Sequence, residues 1–297
     1  MSYVLLSVLG ALLFSFNNVF QRRAVLRIAD ATTGVLITIP MSAIIFLLIL
    51  LSLGQAGSIL SFSWQSYLWL AAAGIVNYTI GRSLRYSLMQ LSGANISNVL
   101  IFSSGPLFSV SLAVTLLGEP LTWELAVGVS LIVFGLAITN FNPLMFKGGR
   151  DSPSYIPFKA YLLGLVIGLA WGVSPILIKV GLGNSGTPIA GAFIAHAAST
   201  LSFIPLLFEH QKRASLTTMK RGALGYFFAA GLFAATAQIL RYTALGLGPA
   251  SIVAPLFSIA PVFALMLSFL LNRRLEIFNR NVVFGTIIVI IGAVLVA

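Results

Sequence analysis

Ten apolar stretches, each about as long as a membrane-spanning helix, constrain this chain more than any other feature. A helix rises 1.5 Å per residue, so ~20 apolar residues cross the hydrocarbon core of a bilayer. Because 59% of the residues are hydrophobic and only 8% are charged, a soluble core could not bury the apolar surface. We therefore predict an all-α membrane protein with ten transmembrane helices, at 3–21, 33–52, 66–88, 94–117, 122–141, 159–180, 188–208, 222–245, 250–271 and 280–297.

One polar linker divides the chain in the middle. The segment "FKGGRDSPSYIPFK", residues 146–159, combines glycine, proline and charge, as loops do. We therefore predict a first repeat of five helices at 1–145, a linker at 146–158 and a second repeat of five helices at 159–297.

The two halves share sequence features at a nearly constant spacing of 155 to 157 residues. The matched features are "FSFNNVFQR" with "WGVSPILIK", Arg85-Tyr86 with Arg241-Tyr242, Pro106 with Pro261, and the pair Gly128 and Gly135 with Gly285 and Gly292. An odd number of spans in each half makes the second half enter the membrane from the opposite side. We therefore predict two inverted repeats, an arrangement in which substrates bind near the midplane.

The distribution of positive charge predicts the orientation. The loops after spans 1, 5, 7 and 9 hold 13 lysines and arginines, whereas the loops after spans 2, 4, 6 and 8 hold none apart from Lys179, which closes span 6. Since cations are retained on the cytoplasmic side, both termini are expected on the outer face of the inner (plasma) membrane. The dispersed cations favour contact with anionic lipid over nucleic-acid binding, and we expect no nucleic-acid partner.

Several motifs resemble those of a known family. The motif "WGVSPILIK" at residues 171–179, the stretch "LLGEPLTWELAVGVSLIVFGLAI" at 116–138 and the ending "GTIIVIIGAVLV" are similar to the EamA-type transporters of the drug/metabolite transporter superfamily. The resemblance implies a ten-helix carrier of small organic solutes, such as amino acids, that often exports them. The chain departs from the family pattern at Phe14-Ser15, where Trp-Gly is usual, and at Arg273, where glutamate is usual.

Ionisable groups inside the predicted spans are candidates for function, because charge in a bilayer is costly. Tyr78, Arg82 and Arg85 share one face of span 3, and Gln238 and Arg241 occupy the matching face of span 8. We expect these residues to form a wall that receives a carboxylate or other anionic group. The alternative is that the arginines near helix ends extend to headgroups or carbonyls.

Other polar residues and prolines have two interpretations each. Asn17, Asn98, Trp171 and Ser174 either line the substrate cavity or join helices, as buried amides often do. His196 either carries a proton or packs as a hydrogen-bonded side chain. The candidate hinges, which also occur in helices without bending them, are Pro106, Pro175, Pro255 and Pro261.

The sequence also favours some functions over others. No carboxylate falls in the centre of a predicted span, which disfavours proton exchange for lipophilic cations. The chain has no cysteine and no motif of a hydrolase or nucleotide-binding protein, so we expect no enzymatic activity, cofactor or metal. The open alternatives are an exporter of amino-acid-like metabolites, an importer or exchanger of an anionic or vitamin-like solute, and a non-transporting scaffold. The sequence does not specify the oligomeric state, and a monomer is consistent with it.

Overall fold

The computed structural model describes residues 2–25, 33–139, 157–183, 187–209, 221–271 and 280–297. All regular structure in these ranges is helical, which confirms the predicted fold class. The main helices are α1 (Tyr3–Val25), α2 (Thr33–Ser52), α3 (Trp64–Gly74), α4 (Arg82–Leu117), α5 (Trp123–Thr139), α6 (Phe158–Leu182), α7 (Pro188–Ser202), α8 (Arg221–Leu247), α9 (Ala250–Phe257), α10 (Ala260–Leu271) and α11 (Arg280–Val296). Short 3-10 helices at Ala56–Ser61 and Ile204–Phe208 and a π-helical segment at Ile75–Gly81 complete the described elements.

Within the described residues, six helices are long and apolar enough to cross a bilayer, and two shorter apolar helices accompany them. Large apolar side chains such as Trp64, Trp123 and Phe158 are exposed on the outside of the bundle. Lipid solvates such side chains, so their exposure is expected of a multi-pass membrane protein.

The structure differs from the predicted spans in the first repeat. We predicted a break between spans 3 and 4 at residues 89–93, but α4 is one helix of 36 residues across this point. The related position in the second repeat breaks at Gly248 and Pro249, between α8 and α9. Pro249 has no N–H and does not continue a helix, whereas the first repeat has Gly93 there.

The helices pair as two related repeats. Helix α2 packs against α7, and α5 packs against α11, so the second and fifth spans of the repeats contact their own counterparts. The first span of each repeat packs against helices of the other repeat, α1 along α8 and α6 along α3 and α4. The cavity described below therefore lies between helices of both repeats.

Small residues allow these helices to approach closely. A Cβ added at Gly128 would lie 2.8 Å from the carbonyl oxygen of Gly292, and one at Gly135 would lie 2.8 Å from that of Gly285. Gly168 likewise contacts Ser104 of α4. The backbones of α5 and α11 therefore touch, which fixes the fifth spans of the two repeats against each other.

Candidate functional site

A cavity with a volume of about 60 Å³ lies between the repeats. Its walls come from α1, α4, α6, α8, α9, the π-helical segment and the break after α9. The lining residues are Phe14, Asn77, Arg82, Ile101, Phe102, Gly105, Pro106, Ser109, Trp171, Gln238, Arg241, Ala254, Phe257 and Ser258. A concave site with apolar walls and a few convergent polar groups is typical of small-molecule binding.

Two aromatic pairs form the apolar walls. The ring centroids of Phe14 and Phe257 lie 5.5 Å apart, and those of Phe102 and Trp171 lie 5.6 Å apart. Phe14 matches Trp171 at a spacing of 157 residues and Phe102 matches Phe257 at 155, so the pairs are related by the repeat. Each pair joins one repeat to the other.

Two arginines supply the positive charge of the cavity. The Cζ atom of Arg82 lies 5.5 Å from the ring centroid of Tyr78, and that of Arg241 lies 5.2 Å from the ring centroid of Phe257. Such cation–π contacts orient a guanidinium group, whose planar edge carries its hydrogen-bond donors. None of the described residues that line the cavity carries a carboxylate. The lining therefore has a net positive charge.

The π-helical segment places Asn77 in the cavity wall. The side-chain amide of Asn77 donates to Ser174 Oγ at 3.0 Å, which joins α6 to the first repeat. A π-helical turn adds a residue to the helical spiral and often occurs at functional sites. Asn77 was not among the main candidate site residues from the sequence, because no local sequence pattern predicts a π-helical turn.

Several polar atoms of the lining have no hydrogen-bond partner among the described residues. They are Ser109 Oγ, Trp171 Nε1, Gln238 Oε1 and Arg241 Nε. Buried polar atoms are normally paired, so these atoms are suited to a polar solute. They include both donors and acceptors.

The structure places the predicted site residues in three groups. Arg82, Trp171, Gln238 and Arg241 line the cavity together. Tyr78, Arg85 and Ser174 lie behind it: Tyr78 beneath Arg82, Arg85 with its Cζ 5.6 Å from the Trp171 ring centroid, and Ser174 bonded to Asn77. Asn17 is buried in α1 but is not part of the lining, and the side chain of Asn98 lies outside those the structure describes.

His196 is buried and packs between aromatic rings. Its ring centroid lies 4.8 Å from Phe46 and 4.2 Å from Tyr78, and Nδ1 is 2.8 Å from the carbonyl oxygen of Ala192. As a carbonyl accepts only, Nδ1 is the protonated donor in this geometry. This hydrogen bond accounts for the histidine as a packing residue, and its role in proton coupling stays a prediction.

The four prolines occupy different backbone settings. Pro106, Pro175 and Pro255 lie inside helices, and Pro106 also lines the cavity. Pro261 is the second residue of α10, directly after the break at Ser258 and Ile259. The break borders the cavity, so the described backbone departs from a regular helix at the site itself. Hinge motion at these prolines stays a prediction.

One ionic cluster, formed by Glu119 and Lys179, was missed by the sequence analysis. The Glu119 carboxylate accepts hydrogen bonds from the backbone N–H groups of Ala250 and Ser251, both at 2.8 Å. Lys179 Nζ lies 3.8 Å from Glu119 Oε1 and donates to the carbonyl oxygen of Gly248 at 2.5 Å. The motifs Gly-Glu-Pro and Trp-Gly…Lys, which carried the family resemblance, thus meet in space.

Comparisons with known proteins agree with this architecture. The model of the EamA-like transporter family matches residues 1–141 and 158–297. One crystal structure of a protein superimposes with a TM-score of 0.77 at 16% sequence identity, covering 99% of this chain and 95% of the other. At this identity the likeness shows the fold alone. No curated protein matches the sequence significantly.

The apolar helices define a multi-pass membrane protein with a cavity between its two repeats. The chain belongs to the EamA-like transporter family, in the drug/metabolite transporter superfamily. Members of this family are membrane transporters of small solutes and not enzymes. The solute and the membrane lipid are therefore the partners of this protein.

Proposed function

We propose that this protein is a secondary-active exporter of small zwitterionic metabolites that carry a carboxylate, such as amino acids. The observation that supports the proposal best is the convergence of Arg82 and Arg241, from opposite repeats, on one cavity whose described lining has no acidic side chain. A guanidinium offers a planar fork of donors that matches a carboxylate. The cost of burying two cations in a membrane favours a functional role for them.

The other lining groups suit the remainder of such a solute. The aromatic pairs Phe14–Phe257 and Phe102–Trp171 offer apolar surface for a side chain. Gln238 Oε1 and Ser109 Oγ, which have no partner among the described residues, are acceptors for an ammonium or hydroxyl group. A zwitterion satisfies both kinds of polar group.

An importer or exchanger of an anionic solute is the second candidate, because the described lining carries positive charge and no negative charge. A dianionic solute would use both arginines. A lipophilic cation fits this lining poorly, since the cation would enter a desolvated site beside two guanidinium groups. A non-transporting scaffold would have no need for a polar cavity between the repeats.

The transport mechanism that fits two inverted repeats is alternating access, in which the repeats rock around a fixed central site. No nucleotide-binding motif occurs in the sequence, so a solute or ion gradient supplies the energy. We place the protein in the inner (plasma) membrane with both termini on the outer face, on the basis of its loop charges.

The test is transport of labelled solutes by proteoliposomes, with and without a proton gradient. The panel holds neutral and aromatic amino acids, a dicarboxylate and a lipophilic cation. Saturable transport of an amino acid that is lost in Arg82→Gln supports the proposal. Transport of the dicarboxylate alone favours the second candidate, and transport of the lipophilic cation alone overturns both.

A matched control distinguishes an effect of the lost binding group from an effect of the lost positive charge alone. Arg280 begins α11 at an exposed position outside the cavity, so Arg280→Gln removes the same charge without touching the lining. Equal losses in Arg82→Gln and Arg280→Gln would contradict a specific role for Arg82.

A further inference from the structure

We propose that Glu119 and Lys179 form a one-sided latch that closes the cavity at the membrane face where these residues lie. The latch consists of Glu119, Lys179, Gly248, Ala250 and Ser251, and it ties the first repeat to the second. The inference rests on the proposed alternating access, but it is independent of the identity of the solute.

The local sequence explains why Glu119 reaches the other repeat. Gly118 ends α4 with a positive φ of 67°, a conformation that glycine adopts readily, and the N–H of Glu119 bonds back to the carbonyl oxygen of Ala113. Pro120 then prevents the helix from resuming. This turn directs the Glu119 side chain away from its own helix.

The start of α9 lacks a local cap for its free N–H groups. Its N-cap residue is Pro249, which makes no side-chain cap hydrogen bond. The carboxylate of Glu119 instead accepts from the N–H groups of Ala250 and Ser251, and its negative charge lies at the positive end of the helix dipole. The first repeat therefore caps a helix of the second.

Lys179 completes the cluster. It is the basic residue in the last turn of α6, and its ammonium group contacts both the Glu119 carboxylate and the carbonyl oxygen of Gly248, just after α8. The Glu119 side chain is only 9% exposed, so solvent screens its interactions weakly. A pair of this kind depends on both partners, because an uncompensated buried charge is costly.

The position of the latch indicates closure of the cavity. The helices α4, α6, α8 and α9 all line the cavity, and the latch joins their ends on one side. The distance along α6 between Trp171, in the lining, and Lys179 is about 12 Å, so the latch lies roughly two helical turns beyond the lining. Tyr3 of α1, the remaining long helix of the wall, packs on Gly248. The N-terminus therefore lies on the same face.

The same pairing is not available at the related positions of the other repeat. Arg22 stands at the position related to Lys179. Arg273 stands at the position related to Glu119, because each of these two residues comes two positions after a Leu-Leu pair. Two cations do not form an ion pair, and both side chains lie outside those the structure describes. We expect the latch to bias the protein toward the state closed on the Glu119 face.

The absence of cysteine from the chain permits a direct test. A single cysteine at Ser258, in the cavity lining, is labelled with a membrane-impermeant maleimide added from one side at a time. The full-length protein in oriented proteoliposomes is used, and a tag at the N-terminus identifies the Glu119 face. In the Glu119→Gln background, the labelling rate from this face should rise at least ~10-fold.

Glu124→Gln is the matched control, because Glu124 is an exposed carboxylate at the start of α5, close in sequence to Glu119. An unchanged rate in Glu119→Gln, an equal rise in Glu124→Gln or a rise only from the opposite face would each overturn the latch. Should Glu119→Gln not elute as a monodisperse protein, Lys179→Met carries the test with the same expected direction. The labelling experiment needs no solute. A negative result would therefore overturn the latch without bearing on the proposed substrate class.

Discussion

Arg82 and Arg241 come from opposite repeats, line the same cavity and each lie over an aromatic ring, 5.5 Å from the centroid of Tyr78 and 5.2 Å from that of Phe257. They are not repeat-related positions, since Arg82 matches Gln238 and Arg241 matches Arg85. The cavity is therefore pseudo-symmetric in its aromatic walls but asymmetric in its charge. A solute bound there meets the two repeats differently.

Arg241→Gln should raise the KM for a carboxylate-bearing solute by ~10- to 100-fold, because a hydrogen bond to a charged group contributes about 1.5–3 kcal/mol. Arg241→Lys should give an intermediate KM, since lysine keeps the charge but loses the planar fork. Initial rates of transport in proteoliposomes measure both. An unchanged KM in Arg241→Gln would remove this residue from the solute site.

Trp171 should report solute binding by its fluorescence. It is the one tryptophan of the four that lines the cavity, whereas Trp64, Trp69 and Trp123 are exposed on the outside of the bundle. A variant with the other three replaced by phenylalanine should show a saturable change in emission on adding a transported solute. The change should be absent when Trp171→Phe is made in the wild-type background, and a change that persists there would place the solute elsewhere.

Gly135→Ala should destabilise the protein by at least ~1 kcal/mol, because the added Cβ would lie 2.8 Å from the carbonyl oxygen of Gly285 and α11 would have to move. The matched control is Gly225→Ala in α8, where nothing lies within 4 Å of the added Cβ. Thermal unfolding in detergent, followed by size-exclusion chromatography, measures both. Equal stability of the two variants would mean that α5 and α11 do not pack as closely as described.

The hydrogen bond from Asn77 to Ser174 should couple the repeats. A double-mutant cycle of Asn77→Ala and Ser174→Ala should give an interaction free energy of ~0.6 kcal/mol, the average that such cycles give for hydrogen bonds inside a membrane protein. Thr236→Ala, on the exposed side of α8, should be additive with Asn77→Ala. Full additivity of the Asn77 and Ser174 substitutions would show that this bond does not join the repeats.

The fold class could be predicted from the sequence because bilayer thickness translates directly into the length of an apolar run. The repeat was also visible, since matched residues such as Phe14 and Trp171 keep their spacing along the chain. Four of the predicted site residues, Arg82, Trp171, Gln238 and Arg241, lie together in the cavity lining. Their selection was possible because polar side chains inside apolar spans are rare.

The packing of the helices decided the rest. An almost uniformly apolar helix has no polar face to show which side packs against another helix. The sequence therefore could not tell that Asn77 lines the cavity and Asn17 does not. The ion pair between Glu119 and Lys179 forms between residues 60 positions apart, and it depends on how the two repeats pack together. Membrane insertion thus followed from local hydrophobicity, whereas the cavity and the latch arose only from tertiary contacts between the two repeats.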